Sequence, residues 1–248
     1  MTQPLPVPVV PAEAAYSRSE SRTPHSLPIP RYLETVYWWA YVHPRAVHLF
    51  ERGWIVNLIL FGNYGRLRDR ALAELGAPLH GRTLQVACVY GDLTPRLRTA
   101  LAADARLQVV DILPIQLRNL RAKLPADERV TMRLGDSSAL AAADASFDQV
   151  LLFFLLHEQP EEVRRATLAE ALRVTRPGGK IVIVDYCRPV PWHPLRPLLR
   201  VVFRRLEPYA MDLWRHPIEH FLPADVQPAS MHKETFFGGL YQKVCIRR

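Results

Sequence analysis

From Arg82 onward the chain alternates short β-rich runs with amphipathic helical stretches, and this alternation limits the fold more tightly than anything else in the sequence. TLQVACV, LQVVDI, VTMRLGD, FDQVLLFF and KIVIVDY read as strands. Between them, PRLRTALAA, LPIQLRNLRAKL and EEVRRATLAEALRVT carry apolar residues three and four apart. Parallel strands cannot be joined by a tight turn, so strand–helix alternation predicts crossover connections and an α/β, doubly wound, mostly parallel sheet. Pro177 is expected to stop the third helix, and Gly178 and Gly179 to permit the turn into KIVIVDY. The C-terminal HKETFFGGLYQKVCIRR is different. There, Gly238 and Gly239 between two alternating runs predict a two-residue hairpin that closes the sheet antiparallel.

The remaining segments divide the chain further. Residues 1–30 are proline-rich, without the basic start, apolar centre and cleavage site of a secretory signal, and are expected to be a disordered tail. Residues 31–80 read as an N-terminal helical cap ahead of a domain spanning 81–248. Within that domain, 191–227 form a proline-interrupted helical insertion before the hairpin, over the carboxyl edge of the sheet. The aromatic cluster Tyr37, Trp38, Trp39 and Tyr41 has two readings: helical core packing, or a hydrophobic cap for a large flat apolar substrate.

Composition excludes several classes. The apolar runs from Trp54 and from Val150 are far shorter than the roughly 20 residues that span a bilayer. Cys88, Cys187 and Cys245 are an odd, scattered set without a CxxC pair, which fits neither a disulfide framework nor a zinc ribbon and suits a reducing, cytoplasmic compartment. The net charge of +8 suits an anionic membrane surface or plain solubility. No interleaving of basic and aromatic residues marks a single-strand binder, so no nucleic-acid partner is expected.

In doubly wound sheets the ligand lies at the carboxyl ends of the strands, where the strand order reverses. Asp111, ending the second strand about 20 residues after the first loop, is placed to accept hydrogen bonds from ribose hydroxyls, or else to serve a helix terminus or the surface. Asp136 and Ser137, after the third strand, are placed for an adenine edge.

From Gly81 to about Tyr186 the chain resembles the class I S-adenosylmethionine-dependent methyltransferases. More narrowly, YWWAYVHP, NLILFGNYGRLRD, LQVACVYGDLT, VVDILPIQLRNLR, FDQVLLFFLLHEQP and FFGGLYQKV resemble the rhodoquinone biosynthesis protein family (RquA), a likeness that runs from about Arg31 to the C-terminus. That resemblance implies a Rossmann-like methyltransferase fold and conversion of ubiquinone to rhodoquinone. In that reaction a ring methoxy group is replaced by an amino group, with S-adenosylmethionine as amino donor and Mn2+ as cofactor. It also implies work at a membrane surface, with the enzyme peripherally attached.

An ordinary methyltransferase loop reads D/E-x-G-x-G-x-G, and GDLT sets a register that puts Gln85, Ala87, Val89 and Gly91 at its marked positions. Loss of the carboxylate at Gln85 and the β-branched bulk of Val89 are expected to displace the cofactor and turn its amine toward the substrate. The expected cofactor-binding residues are Gln85, Ala87, Cys88, Val89, Tyr90, Gly91, Asp111, Ile112, Asp136, Ser137 and Phe154. Tyr37, Trp38, Tyr41 and His43 are expected to meet the substrate. Manganese prefers oxygen and imidazole ligands, which points to Asp136, His157, Glu158 and Asp185; a capping or core His-Glu pair is the alternative. His157 is otherwise a candidate general base, with Tyr90 and Tyr186 as further catalytic candidates and Tyr186 donating to a quinone oxygen. Conventional methyl transfer and a non-catalytic scaffold in a quinone pathway remain alternatives.

Overall fold

A computed structural model of the chain defines residues 28–36, 53–88 and 90–248. Ahead of the sheet lie helices α1 (Arg31–Thr35), α2 (Gly53–Ile59) and α3 (Tyr64–Leu75). There follow β1 (Arg82–Val86), α4 (Leu93–Ala100), β2 (Arg106–Asp111), α5 (Pro114–Lys123), β3 (Val130–Leu134) and β4 (Phe147–Phe153). Next come a 3-10 turn (Leu156–Glu158), α6 (Glu161–Val174) and β5 (Thr175–Tyr186). The chain ends with α7 (Arg196–Leu206), α8 (Ala210–Arg215), a second 3-10 turn (Ile218–Phe221), β6 (Ser230–Phe236) and β7 (Tyr241–Arg247).

The seven strands form one sheet in the order β3-β2-β1-β4-β5-β7-β6, parallel except for β7, which runs antiparallel to both neighbours. This is the class I methyltransferase arrangement anticipated from the sequence. The order reverses between β1 and β4, so the crevice for a ligand opens at their carboxyl ends.

The strands read as near-continuous apolar runs because both faces of the sheet are covered. Side chains alternate between two layers. Leu151, Phe153, Val182 and Val184 pack with α3, α4 and α7, while Val150, Leu152, Ile181 and Ile183 pack against Leu168, Ala171 and Leu172 of α6.

Three local expectations change. The closing hairpin has a four-residue loop, because Phe236 pairs with Tyr241 and Phe237 joins Gly238 and Gly239 in the left-handed region at φ +48°. Helix α6 stops at Val174, before Pro177, and residues 176–179 bulge outward between the Phe147–Thr175 and Gln149–Lys180 pairs. Strand β1 ends at Val86, since Ala87 turns to φ +71°. The segment 191–227 does fold into helices, α7 and α8 with the second 3-10 turn, and α7 borders the crevice. The three cysteines are buried and none is in a disulfide.

Candidate active site

A cavity of about 430 Å³ lies at the carboxyl ends of β1 to β5. Its floor comes from Ala87, Cys88 and Tyr90 after β1, Asp111 and Ile112 after β2, and Asp136 and Ser137 after β3. Phe154, His157 and Glu158 after β4 and Tyr186 ending β5 complete it. The walls are Tyr32 from α1, Val56 from α2 and Leu60 just after it, Tyr64 from α3, and Val202 from α7 with Glu207 just after it. The sheet ends thus bring together most of the residues singled out from the sequence. Tyr37, Trp38, Tyr41, His43 and Val89, like the tail before residue 28, lie outside the described residues.

The rebuilt loop is held by internal bonds. Gln85 is fully buried and does not line the cavity: its amide donates to the Ala87 carbonyl at 3.0 Å and its Oε1 accepts from the Thr94 hydroxyl at 2.9 Å. Where a carboxylate was expected to be missing from the cofactor's side, a neutral amide ties β1 to α4 instead. Ala87 donates its N–H to Val110 at 2.7 Å while occupying a conformation that favours glycine. Gly91, at φ +90°, leaves room for the Tyr64 ring. The Tyr64 hydroxyl accepts the backbone N–H groups of Asp92 and Leu93, at 2.9 and 3.1 Å, and so caps the start of α4. Tyr90 accepts a hydrogen bond from Gln116 at 2.9 Å, which fixes its phenol in the floor.

Asp111 lies in the cavity floor at the end of β2. One oxygen accepts from the Cys88 N–H at 2.6 Å and the other from the Leu113 N–H at 2.8 Å. A carboxylate has about four lone-pair sites, so acceptor capacity remains for hydroxyls of a ligand. Burial pushes this carboxyl up to about 6, against the pull of those backbone bonds. Asp136 turns one oxygen to the N–H and hydroxyl of Ser138, at 2.8 and 2.7 Å. The Ser137 hydroxyl lies 2.9 Å from that of Thr167 and accepts from Gln159 at 3.0 Å. The floor is therefore acidic, and Tyr32, Phe153 and Phe154 surround it with rings. That donor set suits the sulfonium of S-adenosylmethionine, a cation that carboxylates and aromatic faces both attract.

The other half centres on His157. Its Nδ1 lies 2.9 Å from Asp185, while its Nε2 faces Glu158 at 3.7 Å and Glu207 at 3.9 Å. Burial alone would lower the imidazole, but Asp185, with Glu207 and Glu158 behind it, outweighs that and raises it to about 9. At neutral pH the ring is an imidazolium. The general-base expectation assumed an unperturbed histidine; the carboxylates around this ring instead favour its protonated form, which donates.

Asp185 accepts the N–H groups of Leu156, His157 and Tyr186, at 2.9, 3.3 and 2.7 Å, besides its bond to the imidazole. With Asp185 occupied in this way and Asp136 bound to Ser138, the four residues expected to hold manganese do not gather into one donor set. Among the described residues no group of three His, Cys, Asp or Glu side chains is placed to hold a metal ion. The His157–Asp185 pair is a structural clamp joining the ends of β4 and β5. Tyr186 is pushed well above its ordinary value by burial and by Glu207, so its phenol stays protonated and able to donate.

Several contributors escaped the sequence reading. Glu207 sits in the helical insertion, 50 positions from His157. Its Oε2 is closed to solvent and has no hydrogen-bond partner among the described residues, and burial pushes the carboxyl up against the pull of His157. Arg164, fully buried in α6, donates to the carbonyls of Leu156 and Gln159 at 2.8 Å and of Tyr209 at 3.0 Å, which fastens the His157 turn to the insertion. Tyr32 and Tyr64 reach the cavity from the cap. Glu207, Arg164 and Tyr32 carry no local motif, and Tyr64, though inside NLILFGNYGRLRD, has no local signal for a place in the site; only the fold brings them in.

Residues 83–179 match the family of methyltransferase domains. Over 124 residues the chain is 35% identical to the 27-O-demethylrifamycin SV methyltransferase of Amycolatopsis mediterranei (strain S699), covering 49% of this chain and 44% of that protein. Over 133 residues it is 29% identical to the demethylmenaquinone methyltransferase of Staphylococcus aureus (strain MRSA252), covering 54% of each. The chain spans about half the length of these curated relatives. The structure of human N-acetylserotonin methyltransferase in complex with S-adenosylmethionine superposes with a TM-score of 0.57 at 15% identity, covering 89% of this chain and 60% of that one, a likeness of fold.

Proposed function

We propose that this chain is an S-adenosylmethionine-dependent transferase acting on the ring of an isoprenoid quinone at a membrane surface, and that its reaction replaces a methoxy group of ubiquinone by an amino group. The donor half rests on one observation: a buried carboxylate, Asp111, with spare acceptor capacity at the reversal of strand order, in a cavity whose floor is acidic and ringed by aromatic side chains. When bound, the cofactor supplies an electrophilic sulfonium carbon and an α-amine. Asp111 binds the ribose hydroxyls, Asp136 and Ser137 border the base, and Phe154 and Tyr32 enclose the cationic centre.

A quinone presents acceptor oxygens only, so its partners must be donors. Protonated Tyr186 and the His157 imidazolium are donors on the cavity wall, and both stabilise charge that builds on a quinone oxygen. The apolar wall of Val56, Leu60, Val202 and Leu206 suits the ring and the start of its tail.

Amino transfer, rather than methyl transfer, is supported by the resemblance of the motifs and by the loop. With Gln85 locked beneath it and Ala87 in place of glycine, the loop departs from the usual cofactor cradle where the methionine part would lie. Methyl transfer to a quinone or another small molecule is the second reading, favoured by the names of the relatives. The two separate by substrate and product mass: with S-adenosylmethionine, amino-for-methoxy exchange lowers the mass of a short-tailed ubiquinone, whose fully substituted ring has no position for a further methyl group, whereas a methyltransferase leaves it unchanged and raises the mass of a short-tailed quinone that lacks a ring methyl or O-methyl group. Absence of S-adenosylmethionine binding in calorimetry would defeat both.

A further inference from the structure

All the large apolar side chains that stand exposed among the described residues fall in two short segments, 54–61 and 192–206. Trp54 and Trp192 are the extreme cases, 64% and 80% exposed, with Leu58, Leu198 and Val201 more than half exposed. Patches of this kind mark a contact surface.

Both segments also line the cavity from within. Val56, Ile59 and Leu60 come from the first, Val202 and Leu206 from the second, so the exposed apolar surface rims the mouth of the site. On α7, Leu199 and Phe203 face the core while Leu198 and Val201 project from the opposite side. Arg200, Arg204 and Arg205 stand exposed on the same helix, with no carboxylate within ion-pair distance among the described residues. An apolar face with indole rings and unpaired guanidinium groups beside it complements anionic headgroups over acyl chains. No helix among the described residues is long and apolar enough to cross a membrane, so contact is by lying on the surface.

We infer that α2 and α7, with Trp54 near the start of α2 and Trp192 in the turn that precedes α7, form a docking rim that seats the cavity mouth on an anionic lipid bilayer. A long-tailed substrate then passes from the acyl layer into the site without crossing water. The inference deepens the quinone reading and rests on it for what enters; the docking itself is measured without turnover.

The test is flotation of the full chain with vesicles of equal parts phosphatidylcholine and phosphatidylglycerol, and with pure phosphatidylcholine. The wild type floats with the anionic vesicles, and raised salt weakens this. Trp192→Ser with Leu198→Ser and Val201→Ser, or Arg200→Gln with Arg204→Gln and Arg205→Gln, lowers the affinity by about tenfold or more. None of these side chains lines the cavity, so S-adenosylmethionine binding and any turnover of a short-tailed quinone stay at wild-type level, while turnover of a long-tailed quinone in vesicles falls with the affinity. Wild-type protein that stays with neither vesicle, or variants that float like the wild type, overturn the inference. So does a concentration-dependent dimer that the same substitutions dissociate, which assigns the face to a second copy. A wild type that floats but turns over no quinone leaves the rim standing and removes the proposed reaction.

Discussion

A Cβ added at Gly91 would lie 2.5 Å from the hydroxyl oxygen of Tyr64. Of the usual loop glycines this one alone persists, and its neighbour explains why: Tyr64 fills the space while accepting two N–H groups at the start of α4. Gly91→Ala meets both a clash and a backbone at φ +90°, and should cost more than about 2 kcal/mol of stability while weakening cofactor binding. In a double-mutant cycle in urea, Gly91→Ala with Tyr64→Ala should cost less than the sum of the two. Strict additivity would show that the contact is not the cause.

Ala87 holds φ +71° without being glycine. A non-glycine residue there costs roughly 1 kcal/mol or more, partly offset in a glycine variant by the greater freedom of its unfolded chain. Ala87→Gly should therefore raise the melting temperature by a few degrees or leave it level, and Ala87→Val should lower it clearly. Thermal melts by circular dichroism decide it; a large drop for the glycine variant would contradict the strain.

The His157 imidazole sits above its unfolded value near 6.5, reaching about 9. In between, the folded state holds the extra proton, so stability is fully present below about pH 6.5 and falls as pH rises through 9, by roughly 3 kcal/mol. His157→Gln should flatten that decline in urea titrations at pH 6, 7.5 and 9. A wild type equally stable across this range would contradict an imidazolium clamp.

Asp111 titrates the other way in its effect on the ligand. With its carboxyl pushed up to about 6, acidification below that value protonates the proposed ribose acceptor, and the affinity for S-adenosylmethionine should fall between pH 7 and 5. Asp111→Asn should lower affinity at least about tenfold at neutral pH and remove that dependence. Calorimetry at the two pH values gives the comparison.

The sheet was legible because its signal is local. Alternating Val150, Leu151, Leu152 and Phe153 supply both layers, and the α6 stripe at Leu168, Ala171 and Leu172 supplies its partner face. Strand ends then placed Asp111, Asp136, Phe154, His157 and Tyr186 around one cavity. What escaped depends on distant neighbours. The charge of His157 is set by Asp185 and by Glu207, the latter in an insertion no motif marks. Gln85 read as a cofactor contact because its register matched, but its amide found closer partners in Thr94 and Ala87. The hairpin gained two residues because Phe237 accepts a left-handed turn, which sequence preference disfavours.

The proposed reaction turns on which atom the donor gives up. S-adenosylmethionine carrying 15N in its amine and 13C in its methyl group, incubated with the full chain and a short-tailed ubiquinone, reads this out in the mass of the product ring. The proposed exchange puts 15N in the ring, removes one methoxy group and brings in no 13C. A ubiquinone that comes back unlabelled with both methoxy groups, while a short-tailed quinone lacking a ring methyl or O-methyl group gains 13C from the same donor, would contradict it and make this a methyltransferase in chemistry as well as in fold.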